Sequence, residues 1–491
     1  MSRTQSYGRI IKSTGIFGGV QIITALVGIM KTKIVAVLLG AEGVGLYGLL
    51  QSTISMISSL SNVGLSNSAV REIAQYDQKD DRKSIGSTIV VIKKWAMITG
   101  ISGLILTIVF SPVLSELVFA NKSYTFSFIW LSFSILFDQL SASNIVILQG
   151  LRKLNYLAKA NIIGSLAGLL ISVPCFYYYG EKGIVPALLL ASFTLLIRSW
   201  YYARKVSYEH IPVSWRGLWN SGGSMMKLGV ILSLTGLVGM GSMYILRVWI
   251  GREIGVEYVG YYNAVFMIIE GYVAMVFSAM STDFFPRLSQ IQSDNTACRK
   301  LINEQAEVSL IVITPLLMVL AGFSDLIITI LYTRSFIPAV PVLRFAALGV
   351  LFKAFAFPFG YMYIAKADKK VFLIKEILSW SYIVILSIFM YYFFGATGLG
   401  LGYALGYLFT TIQTLILNKY LYRIVPEVKA IVLFLLSISL LLSICLIQFI
   451  ESSLLRNIFS ACLIIISILY SLYEFNKRMN IKQLLSKLRN R

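Results

Sequence analysis

The sequence predicts an all-α integral membrane protein: two pseudo-symmetric six-helix lobes followed by an additional helix pair. Three observations predict it. Apolar residues make up 57% of the chain and charged residues 13%, and apolar runs long enough to cross a bilayer recur from end to end. Inside hydrocarbon the backbone must satisfy its own hydrogen bonds, which leaves helices or closed barrels, and continuous rather than alternating hydrophobicity selects helices. The organisation also repeats. Gly40-Ala-Glu-Gly-Val-Gly-Leu-Tyr47 returns 215 residues later as Gly255-Val-Glu-Tyr-Val-Gly-Tyr-Tyr262, and the same offset carries Leu136-Phe137-Asp138 onto Leu351-Phe352-Lys353. Finally, the basic residues cluster in alternate gaps between the runs, as the positive-inside rule requires.

Taken in order, the runs place about fourteen spans. They fall near 11–39, 42–65, 86–111, 124–148, 156–178, 183–203, 223–249, 257–284, 307–332, 339–365, 371–394, 396–419, 427–449 and 454–475. The first follows Arg3, Arg9 and Lys12 but continues through Ile34–Leu39 with no small-residue cleavage site, so it reads as a retained helix rather than a signal peptide. Residues 1–210 then form an amino-terminal lobe, 211–424 a second lobe and 425–476 the extra pair, with 477–491 a basic amphipathic tail on the membrane surface or in solvent. An even number of spans per lobe gives both copies the same orientation, with a cleft expected between them. The glycine-and-tyrosine turns at Gly40 and Gly255 are expected to be structural. The gaps Arg71–Lys83 and Arg287–Glu304 are expected to be short surface helices.

The net charge of +21 suggests nucleic acid until its placement is followed. With the amino terminus inside, the inward gaps hold Arg71, Lys79, Arg82 and Lys83, then Arg152 and Lys153, then Arg204, Lys205 and Arg216. The later ones hold Arg287, Arg299 and Lys300, then Lys366, Lys369 and Lys370, then Lys419 and Arg423. The outward gaps hold little beyond Lys122, Lys182, Arg252, Arg334 and Arg456. The excess is topological and places both termini in the cytoplasm. Cys175, Cys298, Cys445 and Cys462 have no paired spacing, and the one histidine, His210, reads as a solvated loop residue. No Walker loop, nucleophile elbow or His-rich cluster is present, so neither an enzyme nor a cofactor or metal is expected.

Charges within spans are the strongest functional pointers in such a sequence, because each costs several kcal/mol unless it is used or paired. Asp138, Glu270 and Lys353 lie near mid-depth. Glu270 and Lys353 are placed to pair within one lobe; Asp138 and Lys353 occupy matching places in opposite lobes. Two readings stay open: a buried pair that only fixes helix packing, or carboxylates at Glu270 and Asp138 that couple transport to an ion gradient. A second, basic set comprises Lys31 and Lys33, Arg247 and Arg252, and Arg344, which with Lys353 would line a cationic cavity for a phosphate-bearing or acidic-sugar substrate. Snorkelling to headgroups explains any one of them singly.

With those residues in place, the chain resembles the Wzx-type O-antigen and lipid-linked oligosaccharide flippases of the polysaccharide transporter family, in the MATE-like superfamily. The resemblance rests on Lys33 through Leu46, on Val259-Gly260 through Phe285-Pro-Arg-Leu-Ser289, and on Phe359-Gly360 through Lys366, and it covers the first twelve spans. Compared with enterobacterial common antigen flippases, Lys33, the acid at Glu270 and Lys353 have counterparts, whereas Asp138 has none. The resemblance implies a MATE-like fold and movement of undecaprenyl-pyrophosphate-linked oligosaccharide repeat units from the cytoplasmic to the outer leaflet. The implied partners are that glycolipid, membrane lipids and other polysaccharide-assembly proteins. The two extra spans resemble those of the lipid II flippase, where the added pair forms a lipid-facing groove. A MATE-type cation-coupled multidrug antiporter is the alternative, although cationic walls oppose it. A polysaccharide polymerase or acyltransferase would want a long outward loop or an intramembrane histidine, and neither is present.

Overall fold

The computed structural model describes residues 3–62, 64–209, 211–448 and 450–478. His210 and nearly all of the expected amphipathic tail, 479–491, lie outside them. Every regular element among the described residues is helical. The chain divides into two compact units, Met1–Gly260 and Tyr261–Arg491. The first unit takes in the seventh span as well as the first six, so this division by packing falls about fifty residues beyond the lobe boundary read from the repeat.

The first unit runs α1 (Arg3–Asn62), α2 (Leu65–Gln78), α3 (Arg82–Val109), α4 (Ser111–Phe119), α5 (Thr125–Gly150), α6 (Leu154–Tyr179), α7 (Ile184–Arg204), α8 (Trp215–Glu253) and the start of α9 (Val256–Phe266). Helix α1 is two spans joined at Gly40, whose backbone (φ 66°, ψ −165°) is open to glycine and strained for other residues. Lys31 Nζ lies 5.2 Å from the Tyr47 ring centre. Sixteen residues of straight helix would separate them by about 24 Å, so the chain reverses at Gly40. A tight turn at Gly180–Gly183 likewise folds α6 back onto α7. Among the described residues, twelve segments are long and apolar enough to cross a membrane. Since Ile23–Asn62 and Leu154–Arg204 each hold two passes, they supply the fourteen that the sequence predicts.

The repeat has a physical counterpart here. A Cβ on Gly45 would lie 1.9 Å from the Val256 carbonyl oxygen, and a Cβ on Gly260 would lie 2.0 Å from that of Ala41. Gly45 and Gly260 are repeat equivalents, and so are Ala41 and Val256. Each copy's glycine therefore receives the other copy's backbone, a close approach that membrane helices make through small residues. At the far end of α2, Ile73 and Ala69 pack with Ile89 and Trp95 of α3 and Leu218 of α8, and Trp95 donates its indole N–H to the Leu218 carbonyl at 3.1 Å.

The second unit continues through a π-helical turn (Met267–Val273) into α10 (Ala274–Gln290), α11 (Asn295–Gly322), α12 (Ser324–Leu331), α13 (Val340–Ala365), α14 (Lys369–Phe394), α15 (Thr397–Tyr422), α16 (Val428–Ile447) and α17 (Ser453–Arg478). Two expectations need correction. The Arg287–Glu304 gap is not a separate surface helix: α10 runs to Gln290, and Asp294 caps a new helix by accepting from the Thr296 and Ala297 N–H groups. The ninth span was expected to reach residue 332, but it ends at Gly322, and α12 follows as a separate short helix. Hydropathy merged the two because both are apolar. The other gap, Arg71–Lys83, does lie largely on a short helix, α2, which starts after the left-handed Gly64.

Candidate functional site

The second unit brings the predicted mid-depth pair together. Glu270 sits on the π-helical turn and Lys353 halfway along α13. Lys353 Nζ donates to both carboxylate oxygens of Glu270, at 3.0 and 2.8 Å. Tyr403 on α15 donates its hydroxyl to the same carboxylate at 2.5 Å, and Lys353 Nζ also lies 5.4 Å from the centre of the Tyr407 ring and 5.7 Å from that of Phe277. One acid is thus held by a cation and a phenol, and the cation is flanked by two aromatic faces that favour positive charge.

The local sequence explains why these groups meet. A π turn places one extra residue in the helix and so redirects the side chains after it, a device that recurs at functional sites. Helix α15 opens with Gly398-Leu-Gly-Leu-Gly-Tyr-Ala-Leu-Gly-Tyr407. Its glycines let it lie against α13 and α14: a Cβ on Gly400 would be 2.4 Å from the Val342 carbonyl, and one on Gly402 would be 2.2 Å from Ser387 Cα. That approach carries Tyr403 and Tyr407, one helical turn apart on the same face, down to Glu270 and Lys353. The pair is not sealed. The side chains of Lys353 and Glu270 keep 24% and 28% of their surface exposed. Charges placed within a span are costly unless they are paired or reached by water, and here each is paired with the other.

The remaining candidates are distributed as follows. Asp138 on α5 is half-buried and hydrogen-bonded by Ser192 of α7, and no ion pair among the described residues involves it. Lys31 rests over Tyr47, while Lys33 on α1 and Arg247 on α8 are half-buried in the same unit, where these two helices pack together. Arg252 reaches the Leu117 carbonyl at 3.4 Å from an exposed position. Arg344 donates through Nε to Ser324 and through a terminal nitrogen to Asp325, at 2.8 and 3.0 Å, and Asp325 also takes Arg456 of α17 at 3.8 Å. Arg344 thus holds α12 to α13, and Asp325 links both to the extra helix pair. Sequence reasoning missed Tyr403, Tyr407, Asp325 and the π turn. The signal for the tyrosines was their four-residue spacing inside a glycine stripe.

The fold and this buried polar cluster are what comparison with known proteins has to match. Residues 34–341 match the model of the family described as polysaccharide biosynthesis protein. The chain belongs to that family. It is similar to the lipid III flippase of Escherichia coli (strain K12), with 22% identity over 404 residues that cover 78% of this chain and 91% of the relative. Among solved structures it superposes on the lipid II flippase MurJ in its inward closed conformation with a TM-score of 0.67 at 16% identity, covering 96% of this chain and 99% of that one. An inward-facing multidrug MATE transporter of the MOP superfamily also gives 0.67 at 16% identity, covering 81% of this chain and 94% of that one. The chain is a multi-pass membrane protein with a MATE-like fold.

Proposed function

We propose that the protein is a flippase for lipid-linked oligosaccharides, moving undecaprenyl-pyrophosphate-linked repeat units from the cytoplasmic to the outer leaflet for a surface polysaccharide of the O-antigen kind. It is a transporter and not an enzyme. The observation that carries the reading is a polysaccharide-family sequence on a fourteen-pass fold whose second unit holds a partly open Glu270–Lys353–Tyr403 cluster. The relative covered along 91% of its length is named a lipid III flippase, and the superposition on the lipid II flippase extends over nearly the whole chain.

In this reading the protein works by alternating access in the bacterial inner membrane with both termini in the cytoplasm. Lys31, Lys33, Arg247 and Arg252 of the first unit and Arg344 of the second are the cations offered to the pyrophosphate and acidic sugars, and Lys353 joins them when its partner is protonated. Glu270 is the coupling carboxylate: taking up a proton or releasing Lys353 changes the charge of the cluster between states. Asp138, hydrogen-bonded only to a neutral serine among the described residues, is the second coupling candidate. Deleting the gene and analysing lipid-linked intermediates tests the reading. Unpolymerised repeat units held on the cytoplasmic leaflet are expected. A normal pool accompanied only by drug sensitivity would favour the MATE-type antiporter, which the equal TM-score of the multidrug transporter keeps as the second reading.

A further inference from the structure

A groove of about 1100 Å³ lies away from this cluster, at one end of the second unit, where α11, α16 and α17 come together. Its walls alternate in sign. Helix α11 contributes Arg299, Lys300 and Glu304, α16 contributes Lys429 at its first turn, and α17 contributes Glu474 and Lys477 at its last. Below them the walls become apolar, with Leu301 and Val308 facing Val432 and Leu433. The rim is fixed rather than loose. Asn303, fully buried, donates to the Val425 carbonyl at 3.2 Å and accepts the Glu427 N–H at 2.7 Å, which clamps the chain entering α16 onto α11. The Nε of Arg299 is buried there and makes no hydrogen bond among the described residues.

The depth of the groove follows from helix length. Helix α11 has 28 residues, about 42 Å at 1.5 Å per residue, against a hydrocarbon core of about 30 Å. The helix is thus about 12 Å longer than that core, and its charged amino-terminal part, which carries Arg299, Lys300 and Glu304, fits headgroup depth while the apolar residues that follow fit hydrocarbon. A polar rim at headgroup depth above an apolar wall fits a lipid. The alternation of sign fixes which one. A purely anionic headgroup would meet Glu304 and Glu427 as well as the cations, and that costs affinity. A headgroup carrying both a phosphate and a primary ammonium satisfies both sets, with Arg299, Lys300 and Lys429 on the phosphate and the glutamates on the amine.

We infer that this groove is a binding site for a zwitterionic, primary-amine phospholipid, seated with its headgroup between α11, α16 and α17. On the predicted orientation it would take its lipid from the inner leaflet. The inference rests on the membrane fold and not on the substrate of transport, so it stands or falls separately.

The test is native mass spectrometry of the full-length protein in detergent with dioleoylphosphatidylethanolamine or dioleoylphosphatidylglycerol added. One ethanolamine lipid should be retained in preference to the glycerol lipid. The Lys300→Ala/Lys429→Ala variant should hold it about a hundredfold less tightly, the scale of two lost charge-assisted hydrogen bonds. Glu304→Gln should remove the preference while leaving glycerol-lipid binding intact, and Lys300→Arg should bind as the parent does. All three positions are exposed, and an unchanged melting temperature shows that the variants are folded. Equal retention of the two lipids by the parent protein, or unaltered retention by the double variant, would overturn the site. So would a preference that emerges only after residues 479–491 are removed, since the tail would then be the groove's occupant.

Discussion

Replacing Lys353 by methionine keeps most of the side chain's volume and removes the charge that holds Glu270. The carboxylate then retains the Tyr403 hydroxyl as its one partner within the Lys353–Tyr403 cluster. Removing one member of a buried ion pair costs about 3–5 kcal/mol because the other charge is stranded. The quarter of each side chain that stays exposed lets water reach the stranded oxygens, which places the cost near the lower end, about 3 kcal/mol. For a unit of this size that is a fall of about 6–12 °C in the melting temperature, measured by intrinsic fluorescence in detergent. Adding Glu270→Gln should restore most of the loss, since no charge is then stranded. Transport separates the two meanings of the pair. If the pair only fixes packing, the double variant regains both stability and transport; if Glu270 and Lys353 act in transport, it regains stability alone. A Lys353→Met protein as stable as the parent would refute the geometry, and a double variant with full transport would refute the functional role.

Other outcomes follow from the same structure. Gly260→Ala places a methyl group 2.0 Å from the Ala41 carbonyl, so it should cost about 1–3 kcal/mol by overpacking, read as a lowered melting temperature; an unchanged value would contradict the reciprocal glycine contact. Tyr403→Phe removes one donor to Glu270 and should cost about 1 kcal/mol while leaving Lys353→Met more damaging than before, a coupling that a double-mutant cycle measures. Asp325→Asn loosens both Arg344 and Arg456, yet the carboxylate side chain is 44% exposed, so stability should fall by only about 0.5–1 kcal/mol; a larger loss would mean that this link anchors the extra helix pair. Asp81 caps α3, and hydrogen bonds from the Ser84 hydroxyl and then the Ser84 N–H hold its carboxyl below the usual carboxylate range. Its stabilisation is present above that range and is lost as pH falls through the lowered folded value. Hydrogen exchange at the start of α3, corrected for intrinsic rates, should therefore show weaker protection in acid than at neutral pH.

Legibility in the sequence tracked how local the cause was. The Glu270–Lys353 pair was readable because a charge in a span demands an explanation, and two opposite charges in one lobe explain each other. The repeat was readable because glycine at Gly45 and Gly260 leaves a residue pattern, although the reciprocal carbonyl contacts needed coordinates. The π turn leaves no pattern of its own, since apart from Glu270 and Gly271 the residues of Met267–Val273 are ordinary for an apolar helix. Tyr403 and Tyr407 look like packing residues until α15 is laid against α13. Arg344 shows no partner in the sequence because Ser324 and Asp325, which hold it, lie on a short helix that hydropathy merges into the ninth span. The groove at α11, α16 and α17 joins residues more than 170 positions apart, and no local reading reaches it.

Flipping itself is tested most directly with purified protein in liposomes loaded with a lipid-linked oligosaccharide on both leaflets. A membrane-impermeant reagent that modifies the glycan reports how much of the pool reaches the outside. The account predicts that the inner half of the pool becomes accessible with the parent protein and stays protected with Lys353→Met. Protection identical to that of protein-free liposomes would contradict it.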